Sequence, residues 1–153
     1  MSKSEIARQF FMQGANCAQA VAGAFAKELD MSVKAVFKLA SGFGGGFGRR
    51  REVCGAVSGM VMVLNHLYGN HDISDKAAKD AHYARVQELL REFEAENHSI
   101  IYRELLQEDA ATPASTVSQE RTAAYYAKRP CAELVACAAG IMEKYIAQNP
   151  PEN

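Results

Sequence analysis

A run of glycines followed by three arginines and a cysteine constrains the fold of this chain more than any other stretch. From Ser41 to Tyr68 the sequence reads SGFGGGFGRRREVCGAVSGMVMVLNHLY, and five of the chain's eleven glycines lie between Gly42 and Gly48. Glycine adopts backbone angles that other residues avoid, and it lets N–H groups face a ligand. The stretch therefore predicts a sharply folded loop leading into a helix that contains Cys54.

Apolar residues in the rest of the chain recur at the three-and-four spacing of amphipathic helices, and no window alternates with the period of a strand. Polar residues suited to N-caps precede several of these segments. The predicted helices are Ser2–Met12, one capped by Asn16, one capped by Ser32, Glu52–Tyr68, Ser74 or Asp75 to Glu96, Ser99–Leu106, Gln119–Lys128 and Pro130–Ala147. We therefore predict an all-α bundle of about six helices, formed by a single domain over residues 1–153.

The helix predicted from Glu52 to Tyr68 is apolar nearly all round, which indicates a position in the middle of the bundle. Gly55 and Gly59 lie four residues apart and leave a flat stripe against which another backbone can pack closely. Small all-α proteins with one very apolar helix often dimerise. A homodimer is therefore an expectation that the sequence itself does not decide.

Charge and hydropathy exclude several classes of protein. Charged residues make up 23% of the chain, its formal net charge is −1, and the two signs are mixed, so nucleic-acid binding is not expected. No apolar run approaches the roughly 20 residues of a membrane span, and the first ten residues lack the apolar core of a secretory signal. We expect a soluble, cytoplasmic protein.

Four cysteines, Cys17, Cys54, Cys131 and Cys137, carry the clearest chemical signal. In a reducing cytosol such residues are buried thiols, metal ligands or redox groups, and the absence of a CxxC pair argues against a zinc ribbon or a ferredoxin-type cluster. The first three each open the buried stripe of a predicted helix, whereas Cys137 lies about 120° around its helix. If the three helix starts converge, they form a pocket containing three thiols.

Helix N-termini and nearby arginines can lower the pKa of a thiol from about 8.5 to between roughly 3.5 and 7.5. Cys54 lies three residues after Arg51, the last of the three arginines, so we expect it to be the nucleophilic thiol, with Cys17 or Cys131 as the resolving thiol. The same three cysteines also suit a metal or metal cofactor. Alternatively, they pack as inert small hydrophobes in a structural or assembly protein. Whether the protein is an enzyme stays open.

The glycine loop supplies a second set of candidate binding residues: Gly44, Gly45, Gly46, Gly48, Arg49 and Arg50. The loop is interpreted either as a cradle for a small-molecule ligand or as a tight bend that brings two helices together. It matches neither GxxxxGK[ST] nor a GxGxxG that follows a strand. Its ligand cannot be named from the sequence.

Taken together, these residues resemble a small bacterial and archaeal family that is named for the pattern C…GCAxxG…C…C and described as probable redox-active proteins. The first family cysteine corresponds to Cys17 in GANCAQAV, the second to Cys54 in the string CGAxxG, and the last to Cys131 in RPCAELV. At the place of the third cysteine this chain has Tyr102. The resemblance implies a functional thiol site with an unknown redox partner, and it supplies no reaction.

Overall fold

The computed structural model describes residues 1–109 and 115–152. The helices within these ranges are α1 (Lys3–Met12), α2 (Cys17–Ala24), α3 (Val33–Ala40), α4 (Gly55–Tyr68), α5 (Lys76–Asn97), α6 (Tyr102–Leu105), α7 (Ala123–Lys128) and α8 (Cys131–Gln148). A single 3₁₀ turn, Ser41–Phe43, follows α3. The described part of the chain contains no strand, which confirms the all-α prediction. Its eight helices correspond to the eight predicted segments, whereas the bundle was expected to contain about six.

Four helices begin where their N-cap residues predict. The side chains of Ser2, Asn16, Ser32 and Asp75 each accept a hydrogen bond from the backbone N–H three residues further on. These bonds satisfy N–H groups that have no partner within the helix. The cap at Asn16 matters most for the site, because it fixes Cys17 as the first residue of α2.

Helix α4 lies in the middle of the bundle, where it packs against α2, α5 and α8. Gly59 makes the closest approach to α2, since a Cβ at this position would lie 2.8 Å from the carbonyl oxygen of Ala18. Only glycine permits this separation between the two helices. The largest fully buried side chains around them are Phe11, Phe25, Phe93, Met60, Leu64, Leu89 and Met142.

The predicted start of α4 at Glu52 is wrong by three residues, because the helix begins at Gly55. The residues ahead of it are extended, and Val53 forms an isolated antiparallel bridge with Ile101. This bridge joins segments almost fifty residues apart in the sequence. The local sequence pattern that suggested an earlier helix start therefore could not reveal it.

Two other helices are shorter than predicted. The segment from Ser99 becomes helical only at Tyr102, and the segment from Gln119 only at Ala123. The loop predicted between them includes residues 110–114, which lie outside the described residues. Among the described residues, these two segments are therefore less helical than the sequence indicated.

Other expectations concern the chain as a whole. In the two ranges that the structure covers, no helix is both long and apolar enough to cross a membrane. The single domain, the homodimer and the cytoplasmic location stay predictions.

Candidate thiol site

Three of the four cysteines meet in the interior of the bundle. Cys17 is the first residue of α2, Cys54 is the N-cap of α4, and Cys131 is the first residue of α8. A Cβ on Gly55 would lie 3.2 Å from the Cβ of Cys17, so the starts of α2 and α4 touch here. The thiols of Cys17 and Cys131 lie close enough for each to shift the pKa of the other. The structure thus brings together the three cysteines singled out from the sequence.

Tyr102 joins this group at the position where the family resemblance places a third cysteine. Its hydroxyl lies 2.8 Å from the Sγ atom of Cys131, and its side chain is only 4% exposed. The N–H of Tyr102 donates to the carbonyl of Glu52, 2.7 Å away, and the guanidinium of Arg51 lies 5.4 Å from the centre of the tyrosine ring. A phenol hydroxyl therefore contacts the thiol of Cys131 directly.

Cys131 is the acidic thiol of the group. Its pKa is lowered to about 7, first by the hydrogen bond from Cys17, then by the hydrogen bond from Tyr102 and by the positive charges of Arg129 and Arg121. Burial acts in the opposite direction, because it penalises the charged form of the thiol. The hydrogen bonds and the two arginines outweigh it, so a large fraction of Cys131 is thiolate near neutral pH.

Cys17 and Tyr102, the two groups beside the Cys131 thiol, stay protonated. The pKa of Cys17 is raised well above its usual value by its hydrogen bond to Cys131 and by burial. The pKa of Tyr102 is raised mainly by burial and by the neighbouring thiols. The Tyr102 hydroxyl therefore donates to the sulfur of Cys131, and Cys17 places a protonated thiol close to it.

Cys54 does not have the activated thiol that the sequence predicted. Its side chain is fully buried, and burial raises its pKa to about 12. The backbone N–H groups of Ala56 and Val57 pull the pKa down, as expected at a helix start, but they do not offset the loss of water around the sulfur. The order of acidity between Cys54 and Cys131 is therefore the reverse of the expected one.

The glycine loop is wound by its own backbone hydrogen bonds. Each N–H of residues 47–52 donates to a carbonyl between Gly42 and Phe47, including that of Gly48 to Gly42 at 2.8 Å and that of Glu52 to Gly46 at 2.9 Å. These N–H groups cannot at the same time hold a phosphate. This part of the loop thus matches a tight bend, the second of the two interpretations offered by the sequence.

A cavity of about 280 Å³ nevertheless lies beside the loop. Among the loop residues singled out from the sequence, Gly44, Gly45, Gly48 and Arg49 line it. Gly46 is buried under the following backbone, and Arg50 is exposed outside the cavity. Tyr102 forms part of the wall. The cavity is therefore separated from the thiol of Cys131 by a single side chain.

Other residues of the wall were not foreseen. Arg121, Tyr125 and Arg129 come from the segment around α7 and complete the cavity opposite the loop. No binding motif in their local sequence identifies them, because their role depends on how this segment folds back onto the loop. A cluster of charge and aromatic residues near Cys131, QERTAAYYAKRPC, is the one signal that could have drawn attention to them.

The metal-binding interpretation finds no support in the described part of the chain. There, no three side chains of histidine, cysteine, aspartate or glutamate form a group that could hold a metal ion. Cys137 lies apart from the other thiols, donates a hydrogen bond to the carboxylate of Glu96 at 3.0 Å, and has a pKa raised to about 11, mainly by burial. It does not supply a fourth ligand.

Comparison with known proteins yields one family. A family model described as putative redox-active protein (C_GCAxxG_C_C) matches residues 15–145, which include all three clustered cysteines and Tyr102. No curated protein and no solved structure matches the chain.

Proposed function

The chain belongs to the C_GCAxxG_C_C family, and on that basis we propose that it is a thiol-based redox protein in which Cys131 supplies the attacking thiolate and Cys17 the resolving thiol. One observation carries the proposal: the sulfur of Cys131 is hydrogen-bonded by the Tyr102 hydroxyl, and the Cys17 thiol lies close enough to lower the pKa of Cys131. A thiolate with a pKa near ambient pH is the most effective attacking thiol in disulfide exchange.

The exchange takes place in two steps. The Cys131 thiolate attacks one sulfur of a disulfide in the partner, so the partner's S–S bond breaks, one partner thiolate leaves, and a mixed disulfide forms on Cys131. Cys17 then loses its proton and attacks the Cys131 sulfur, which releases the second partner thiolate. The Cys17–Cys131 disulfide has lost two electrons to the partner, whose two thiolates take up the Cys17 proton and one from solvent.

This reaction requires a local opening, because Cys17 and Cys131 are 4% exposed or less. The short helices α6 and α7 carry Tyr102 and Tyr125, both close to Cys131, and the backbones of these two helices lie close to few residues of the other helices. Elements with few packed neighbours open at a lower free-energy cost than core helices. We infer that displacement of these helices gives the partner access to Cys131.

The burial of all three clustered thiols also favours a second candidate function, in which they are an inert core of a structural protein. Cys54 fits that description in either case, since it is fully buried and stays protonated near neutral pH. The two functions differ in what happens to Cys17 and Cys131 when the folded protein meets an oxidant.

One experiment distinguishes the two functions. The reduced native protein is treated with the uncharged disulfide 2-hydroxyethyl disulfide at about pH 7.5, close to ambient pH. The products are then identified by peptide mass spectrometry. We expect a Cys17–Cys131 disulfide, with Cys54 unmodified until the protein is unfolded. In the Cys17→Ser variant, a mixed disulfide on Cys131 should accumulate instead. If Cys131 reacts only after unfolding, the redox function is refuted and the inert core is supported.

A further inference from the structure

The cavity beside Tyr102 concentrates positive charge. Arg49, Arg51, Arg121 and Arg129 all line it. In the described part of the chain, the carboxylate paired with this group is that of Glu108, which lies 3.2 Å from Arg51 and 3.8 Å from Arg129. Four guanidinium groups therefore share one carboxylate.

The other two arginines are held by neutral groups. Arg121 donates to the carbonyl oxygens of Phe11 and Ala15, both at 3.1 Å, and Arg49 donates to that of Ser115 at 2.8 Å. A carbonyl oxygen orients a guanidinium but does not cancel its charge. Partial burial lowers the pKa of Arg49, and the positive charges of Arg51 and Arg129 lower it further.

Two of the guanidinium groups are also fixed in position by an aromatic ring. Arg121 and Arg129 lie 5.1 Å and 5.4 Å from the ring centre of Tyr125. Because cation–π contacts and hydrogen bonds already hold these side chains, little conformational entropy is lost when they bind a ligand. The site is therefore organised before any ligand arrives.

We propose that this cavity binds a small anion, a molecule whose carboxylate or phosphate groups are held by Arg49 and Arg121 with the charges of Arg51 and Arg129 nearby. Guanidinium groups recognise both kinds of oxyanion through paired hydrogen bonds. A volume of about 280 Å³ suits a metabolite and excludes a folded domain. The inference goes beyond the proposed redox function and does not depend on it.

The position of the cavity couples this anion to the thiol site. Arg121 and Arg129 act on the Cys131 thiolate as well as lining the cavity. An anion that neutralises them weakens their stabilisation of the thiolate, and by reciprocity the thiolate weakens anion binding. Binding should therefore move the midpoint of Cys131 alkylation to higher pH.

Calorimetric titration tests the proposal with two probes, inorganic phosphate and citrate, each at constant ionic strength set with sodium chloride. We expect saturable binding of at least one probe to the wild-type protein, and the identity of that probe distinguishes a phosphate from a carboxylate ligand. Arg49→Gln should weaken binding about tenfold or more, because it removes a charge-assisted hydrogen bond. Arg50→Gln removes the same charge from the exposed neighbouring residue and should bind like the wild type.

If neither phosphate nor citrate binds saturably to the folded wild-type protein, the proposal is overturned, whatever the variants do. An equal loss of affinity in Arg49→Gln and Arg50→Gln would also overturn it, since general attraction to a basic surface would then explain the binding. The uncharged disulfide used to test the redox function does not need this cavity. Failure of the anion site and failure of the redox function can therefore be told apart.

Discussion

Replacing Tyr102 with phenylalanine removes one oxygen atom from the site and leaves the aromatic ring in place. That oxygen lies 2.8 Å from the Sγ atom of Cys131, and the ring keeps its contact with Arg51. We expect the variant to fold normally and the pKa of Cys131 to rise, because its thiolate loses the hydrogen bond from the tyrosine hydroxyl.

The size of the change follows from the strength of that hydrogen bond. A hydrogen bond to a charged group contributes about 1.5–3 kcal/mol, and one pKa unit corresponds to about 1.4 kcal/mol. The pKa of Cys131 should therefore rise from about 7 to roughly 8–9. The bond from Cys17 and the charges of Arg121 and Arg129 remain, so the pKa should not approach the value of about 12 at Cys54.

The assay is the rate of iodoacetamide alkylation at Cys131 against pH, read by peptide mass spectrometry on the reduced native protein. The midpoint of this profile is the quantity to compare, because a thiolate with a higher pKa is also intrinsically more nucleophilic and a rate at one pH would understate the effect. Tyr125→Phe is the matched control. It deletes the same atom from a neighbouring tyrosine. Burial raises the pKa of Tyr125, so its hydroxyl carries no charge where Cys131 titrates, and the midpoint of this variant should equal that of the wild type.

Two results would refute this reasoning. A wild-type midpoint at or above the usual value for cysteine, about 8.5, would show that Cys131 is not an activated thiol. Equal midpoints in the wild type and in Tyr102→Phe would show that the tyrosine hydroxyl does not stabilise the thiolate. In either case the proposed role of Cys131 would have to be abandoned.

Two further sets of variants test the loop and the buried thiol. Gly45→Ala should lower the free energy of unfolding, measured in urea, by more than Gly48→Ala. Both glycines have a positive φ, which costs alanine about 1–2 kcal/mol. A Cβ at position 45 would also lie 2.9 Å from the Cα of Arg49, whereas a Cβ at position 48 would meet no atom within 4 Å. Gly42 has no positive φ, and a Cβ there would meet no atom within 4 Å, so Gly42→Ala should change the free energy of unfolding by less than about 0.5 kcal/mol. Equal losses of stability in Gly45→Ala and Gly48→Ala would refute the steric argument. Cys54→Ala should lower the free energy of unfolding at pH 7. Above about pH 8.5 this loss should shrink by about 1.4 kcal/mol per pH unit, because the Cys54 thiol then ionises in the unfolded wild type but not in the folded one. A stability difference independent of pH would contradict the raised pKa of Cys54.

Local signals predicted much of the fold. Asn16, Ser32 and Asp75 cap the helices that they were expected to cap, because an N-cap acts within three residues of its own position. The apolar surface of the segment ending at Tyr68 correctly placed α4 in the middle of the bundle. Such features depend on short stretches of chain, and a sequence displays them directly.

The chemistry of the site depends on contacts between distant segments, which a sequence does not display. The start of α4 is delayed by a bridge from Val53 to Ile101. The acidity of Cys131 depends on Cys17 and Tyr102, which lie on other helices. The helix-start argument for Cys54 was sound in direction, but nothing in its neighbourhood revealed that burial would be the larger effect.

The contact between Cys17 and Cys131 has a consequence for the whole molecule, since these residues lie near opposite ends of the chain, more than a hundred residues apart. A disulfide between them would close a loop that restricts the unfolded chain and stabilises the oxidised protein by up to about 4–5 kcal/mol. Folding and disulfide formation are linked in one thermodynamic cycle, so folding must favour the Cys17–Cys131 disulfide by the same free energy. The reduction potential of this disulfide would then be about 100 mV more negative in the folded protein than in the unfolded chain. Melting temperature and redox state would then report on each other, and reduction alone would loosen the entire bundle.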